Sequence, residues 1–212
     1  MSLTLEQFMK KLRIAGIGSR ETPLPVLTEM ETITYDLVET GHMIISGGAP
    51  GADTAFQRGA YKAISAQYPK DTDYEINQVL AKYLAVILPW NKFNDNNKHI
   101  SFHNEDCFPH LHIFSDMSLE LKEEAYKIMR QFHPAYTRLS DSAMKLMARN
   151  GFQVLGHDLK HPVDLVICYT VDGKFSGGTG QSLRIADAHH IPIINLKNQK
   201  FSMDFIHQLE EN

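Results

Sequence analysis

Ser46-Gly47-Gly48-Ala49-Pro50-Gly51-Ala52-Asp53 follows the apolar run His42-Met43-Ile44-Ile45 and leads into Thr54-Ala55-Phe56. Apolar strand, glycine turn and helix in that order bring the free N–H groups of a helix N-terminus to the end of a buried strand, where they attract an anion. A phosphate is the natural guest. Gly47, Gly48 and Gly51 permit φ > 0 and close approach of a ligand, and Asp53 or Thr54 could cap the helix. Glycines that serve only the turn would give the same pattern. The pattern occurs twice, however. Ser176-Gly177-Gly178-Thr179-Gly180-Gln181 comes after the run Asp164-Leu165-Val166-Ile167-Cys168-Tyr169 and opens a helix through Leu183, Arg184, Ile185 and Ala188.

The elements that must hold these turns follow from periodicity and breakers. Arg13-Ile14-Ala15-Gly16-Ile17 reads as a first buried strand ending in the turn Gly18-Ser19-Arg20, and Pro23 and Pro25 start a helix that runs to about Gly41. His42 to Ile45 is the second strand, followed by a helix from about Ala52 to Gln67. Leu84-Ala85-Val86-Ile87-Leu88 and Asp164 to Tyr169 are continuous apolar runs of the kind a parallel sheet covers on both faces, and Ile191 to Leu196 is a fifth strand. Tyr68 to Asn77 reads as a polar surface loop that could open a short helix. Shorter helices are expected at Leu3–Lys11, at Ser118–Phe132 before Pro134, from Ser140 or Asp141 to Asn150 with Gly151 as the stop, and at Met203–Glu210. The alternation predicts an α/β fold, a doubly wound, mostly parallel, Rossmann-like sheet of about five strands. Residues 91–138 break the alternation and read as a helical insertion or lid in a single domain spanning 1–212.

Composition narrows the function. The chain has 212 residues, 43% hydrophobic and 22% charged, enough for one sizeable core. No apolar run reaches the roughly 18 residues of a membrane span, and Met1 to Gln7 lacks a signal peptide's regions, which points to the cytoplasm. Cys107 and Cys168 read as free thiols of a reducing compartment. Lys and Arg number 21 against 25 Asp and Glu, a net charge of −4, so no overall field draws the chain to nucleic acid.

Other residues carry candidate chemistry. Trp90 at a strand's carboxyl end could stack on a base, or simply close the core, and Tyr169 is a second aromatic of this kind. Asp53 and Asp172 are the carboxylates available for catalysis; Asp53 near a helix N-terminus is expected to hold a lowered pKa, as a nucleophile or as an ordinary cap. His99, His103, Cys107, His110 and His112 invite a zinc site, but their spacing matches no standard pattern and no metal is assigned. Gly16-x-Gly18 lacks the third glycine of a dinucleotide fingerprint. The helix Ser142-Ala143-Met144-Lys145-Leu146-Met147 could bury its apolar side in its own core or in a homo-oligomer.

With both turns in place, the chain resembles the SLOG superfamily, Rossmann-like proteins that include the DNA-processing protein A (Smf) family and the LOG-type phosphoribohydrolases. Gly18-Ser19-Arg20, the Ser46-to-Asp53 turn and Arg149-Asn150 are similar to signature pieces of DNA-processing protein A. The likeness runs from about 12 to 196, with no counterpart for 91–138. It implies a pocket for a nucleotide or nucleotide-derived ligand, of the AMP, ADP-ribose or NAD type, built from Gly18, Ser19, Arg20, Ser46, Gly47, Gly48, Gly51 and Gly177 to Gln181, with Arg149 and Asn150 beside it. LOG enzymes carry Pro-Gly-Gly-x-Gly-Thr-x-x-Glu, whereas here Arg184 stands in place of the glutamate. A cation cannot act as that carboxylate, and Arg184 would instead suit a phosphate, or stand exposed on its helix.

Three functions therefore compete: a nucleotide-binding protein of the sensing or sequestering kind, a hydrolase or transferase acting on a nucleoside phosphate or NAD-like N-glycoside, and a binder of single-stranded DNA as in DNA-processing protein A. The first uses every glycine turn and needs no catalytic group, and the even spread of basic residues argues against the third.

Overall fold

The computed structural model describes residues 10–94 and 109–211. Strands β1 (Arg13–Gly18), β2 (Met43–Ser46), β3 (Leu84–Leu88), β4 (Leu111–Ile113), β5 (Leu165–Tyr169) and β6 (Ile193–Asn195) form one sheet in the order β4-β3-β2-β1-β5-β6, and every pairing is parallel. The four apolar runs are central strands because both their faces are covered. Alternate residues feed opposite cores, Ile14, Ile44, Val86 and Ile167 on one side and Ala15, Ile45, Ile87 and Val166 on the other.

Helices α1 (Leu24–Glu39), α2 (Ala52–Gln67), α3 (Asp73–Leu80) and α7 (Met203–Glu210) cover the first face through Met30, Phe56, Leu80 and Ile206. Helices α4 (Leu119–Phe132), α5 (Asp141–Leu155) and α6 (Gly177–Ala188) cover the second through Met129, Phe152 and Leu183. The sheet is Rossmann-like and doubly wound, as the alternation predicts. A capping box, in which Thr72 and Glu75 each bond the other's backbone N–H, turns the polar stretch after Tyr68 into α3. Ser118 caps α4, which ends at Phe132 before Pro134.

Three expectations change. The sheet has six strands, because Leu111-His112-Ile113 pairs with β3 at the edge. The described part of the expected insertion is thus built into the fold: β4 extends the sheet, and α4 packs on α5 and α6. Gly151 does not stop α5. It lies within the helix, which runs on to Leu155 and is closed by Gly156 at φ 79°. Most of the expected helix at Leu3–Lys11, half of the polar piece at 91–98, and His99, His103 and Cys107 lie outside the described residues.

Candidate functional site

In an open parallel sheet, neighbouring strands whose crossovers run in opposite directions leave a crevice at their carboxyl ends. Here β1 is that point, since β2 lies on one side and β5 on the other. A cleft of about 500 Å³ opens there, lined by Gly18, Ser19 and Arg20 after β1, Thr170 and Val171 after β5, Ser176 to Thr179 at the start of α6, and Met147, Arg149, Asn150 and Gln153 of α5. The two walls are pinned together, because Ser19 N–H donates to the Tyr169 carbonyl at 2.9 Å. Ser19 Oγ in turn accepts the Glu21 N–H and leaves Arg20 exposed at the mouth.

The second glycine turn forms the anionophilic wall. Ser176 is the N-cap of α6 but makes no side-chain cap, and the first turn carries no acidic residue. The N-terminal N–H groups and the positive end of a 12-residue helix therefore face the cleft with no anion of their own. Asp172 is not a cleft residue; it is exposed, and it accepts the Lys174 N–H and the Ser176 hydroxyl, contacts that lower its pKa.

The first glycine turn behaves differently. Gly51, at φ 85°, is the N-cap of α2, and neither Asp53 nor Thr54 caps the helix. The Ala52 N–H goes to the Ser19 carbonyl and the Thr54 hydroxyl to the Ala49 carbonyl. Ser46 Oγ donates to the carbonyls of Gly16 and Asp53. Ser46, Gly47, Gly48 and Gly51 thus lie outside the cleft lining, of which this turn supplies Ala49 and Asp53. Gly47 is needed for a different reason: a Cβ there would stand 1.8 Å from Arg149 Nη1.

Asp53 and Arg149 form the floor and are 4% and 3% exposed. Asp53 Oδ2 accepts the Ala49 N–H at 3.3 Å and lies 3.9 Å from Arg149 Nη2, whose Nη1 donates to Gln153 Oε1 at 2.5 Å. Burial raises the Asp53 pKa, against the opposing pull of Arg149, so the lowered value expected from helix position alone is corrected: desolvation outweighs the helix terminus. Burial also brings Arg149 down to about 10, with Asp53 opposing. Asn150 Nδ2 donates to Gln181 Oε1 at 3.1 Å and to the Gly178 carbonyl at 3.4 Å, tying the floor to the α6 wall. Arg149 Nε, Gln153 Nε2 and Gln181 Nε2 have no hydrogen-bond partner among the described residues. Each costs about 1–3 kcal/mol unless a guest or an ordered water meets it.

Other expectations are redirected. Trp90 follows β3, two strands from β1, and packs edge-on against Phe93 beside the core, away from the cleft. Tyr169 is a core residue whose backbone, not ring, serves the site. Arg184 lies outside the cleft lining and is engaged elsewhere: its Nε donates to the Phe132 carbonyl at 2.6 Å and its Nη1 to the Phe175 carbonyl at 2.9 Å. It fastens α4 and the loop before α6 in place. Gly180 and Gln181 lie behind the lining, Gly180 against the Phe175 carbonyl and Gln181 fully buried. Leu146, Met147 and Gln153 went unrecognised as lining, although their spacing from Arg149 and Asn150 puts them on the same face of a helix. Met144 and Met147 pack against the second core. No cluster of three metal-ligating side chains occurs among the described residues, and none of their helices is long and apolar enough to cross a membrane.

The fold is that of a Rossmann-like α/β protein, with its cleft at the point where the strand order reverses. Residues 5–89, which contain Gly18-Ser19-Arg20 and the first glycine turn, match the family model of DNA recombination-mediator protein A. The structure resembles DNA processing protein A from Helicobacter pylori, described for its single-stranded DNA binding mode, at a TM-score of 0.51 and 19% identity over 87% of this chain. This chain spans 64% of that protein's length. Curated proteins give no match. The chain is thus similar to DNA-processing protein A, in sequence over residues 5–89 and in fold over most of its length.

Proposed function

We propose that the chain binds single-stranded DNA by seating one backbone phosphate at the N-terminus of α6, with Arg20 closing over it. The observation that carries this reading is the α6 terminus itself: twelve aligned residues, no side-chain cap, no acid in the first turn, and the exposed Arg20 on the same cleft. Val171 and Phe175 flank that turn and are 50% and 41% exposed. Phe175 offers a face on which a neighbouring base stacks whatever its identity. The likeness to a DNA-binding protein supports a strand of DNA over a free nucleotide as the guest.

The test is fluorescence anisotropy of a labelled single-stranded oligonucleotide over a range of salt concentrations. Binding should weaken with log salt by about 0.7 per phosphate contacted. Binding unaffected by salt, or no binding at low salt, would overturn the DNA reading.

A second reading, a free nucleotide of the AMP, ADP-ribose or NAD type, has its own support. The net charge is −4, and the cleft has the size of a small-molecule site. A rise in Tm with a mononucleotide that persists at high salt, in a protein that leaves DNA unbound, would select it.

A further inference from the structure

We propose that Asn195 and Asn198, which lie outside the cleft at the end of β6 and just beyond it, are positioning residues that hold the β5–α6 loop in its binding conformation before a strand arrives. Their role rests on the reading that α6 seats a phosphate and Phe175 a base.

The loop runs from Thr170 to Ser176 and joins the two parts of that site. Thr170, Val171 and Ser176 line the cleft, and Phe175 comes immediately before Ser176, the N-cap of α6. Apolar packing does not hold this loop, because Val171, Asp172, Lys174, Phe175 and Ser176 are all exposed. A loop without buried side chains keeps much of its conformational freedom unless its backbone is tied down.

The two asparagines tie it down. Asn195, 7% exposed, spends both ends of its amide on Thr170: its Oδ1 accepts the Thr170 N–H at 3.4 Å and its Nδ2 donates to Thr170 Oγ1 at 2.8 Å. At the tip of the loop, Asn198 Nδ2 donates to the Gly173 carbonyl at 2.7 Å. Gly173 has φ 69°, and a Cβ there would stand 2.1 Å from Asn198 Oδ1, so the loop backbone lies directly on that amide. The brace is itself fixed, since Asn195 Oδ1 also accepts the Lys197 N–H at 3.1 Å and the Asn195 carbonyl accepts the Asn198 N–H at 2.8 Å. At the far end, Arg184 holds the Phe175 carbonyl. The loop is thus held at its start, tip and end while Phe175 stays exposed beside the α6 terminus. A loop ordered in the free protein loses less entropy when its ligand arrives. Neither asparagine lines the cleft, so their effect on binding passes through the loop.

The test is a double-mutant cycle on Asn198 and Phe175, read by anisotropy of a labelled single-stranded oligonucleotide at fixed salt, with the Tm of each variant. Asn198→Ala should weaken binding about five-fold, the effect of one hydrogen bond. Its Tm should stay close to that of the native protein, because Asn198 is exposed. In a Phe175→Ala background, where the stacking face is already gone, adding Asn198→Ala should cost little more. In the free protein, ¹⁵N relaxation should show lower order parameters at Gly173 and Lys174 in Asn198→Ala. Native affinity in Asn198→Ala, unchanged order parameters, or losses that simply add in the double variant overturn the positioning role and leave the DNA reading standing. No binding by the native protein overturns the DNA reading, and the positioning role with it.

Discussion

The two glycine turns look alike in sequence and differ in what occupies them. Each follows a buried strand and opens a helix, and each has three or more small residues at the junction. At α2 the protein supplies its own anion: Asp53, in the first helical turn, is buried against Ala49 N–H and Arg149, and the Ser19 carbonyl takes the Ala52 N–H. At α6 the first turn reads Gly-Gly-Thr, without an acid, and the terminus is open to the cleft. One carboxylate separates a junction that carries its own anion from one left open to the cleft. A helix terminus attracts anions in either case, and what differs is whether the guest is built in.

This contrast can be broken from either side. Asp53→Asn should cost the most, about 3 kcal/mol of stability, because Arg149 would be left as an uncompensated buried charge; urea unfolding measures it, and a loss within error of zero would mean that the pair does not hold the floor. Thr179→Asp gives α6 the acid that α2 already has. It should weaken single-stranded DNA binding by about 2 kcal/mol, or about 30-fold, by placing like charge against the phosphate. Melting should be unchanged or slightly raised, since an acid at that position suits the helix.

Acid loss of stability should come from two buried histidines and not from either turn. His42 and His110 are buried and held down to about 4 by desolvation. Their folded-state pKa lies below the unfolded value of about 6.5, so stability is complete above that value and is lost as pH falls from there toward 4. The expected loss is about 2 kcal/mol per histidine at pH 5, and it should persist in Asp53→Asn and shrink in His42→Gln. The smallest effect belongs to Arg20→Ala at the exposed mouth: a few-fold loss of DNA affinity, a salt slope reduced by about 0.7, and an unchanged Tm.

The two turns also show what could be read from residues alone. The central strands were legible because apolar runs such as Leu165 to Tyr169 have no helical period, and α4 was legible from Ser118 and Pro134. The edge strand β4 was not, since three residues centred on a histidine make no run. Gly151 misled because a glycine inside a helix reads as a stop, whereas the real stop, Gly156, lies where the chain takes φ 79°.

At the site, Gly18-Ser19-Arg20, Arg149-Asn150 and Gly177 to Thr179 were legible as cleft residues. Trp90 was misplaced because its position at a strand's end was visible but the strand order was not, and β3 sits two strands from the crevice. The filling of the first turn by Asp53 was hidden for a similar reason. It depends on Arg149, 96 positions further along the chain, arriving beneath Gly47.

The most direct measurement follows the backbone amides of both turns by ¹⁵N NMR as a short single-stranded oligonucleotide is added. With a phosphate seated at α6, Gly177, Gly178 and Thr179 should shift strongly and saturate together, with Ala52, Asp53 and Thr54 nearly still. Saturating shifts at the α2 turn with none at α6 would contradict that seating.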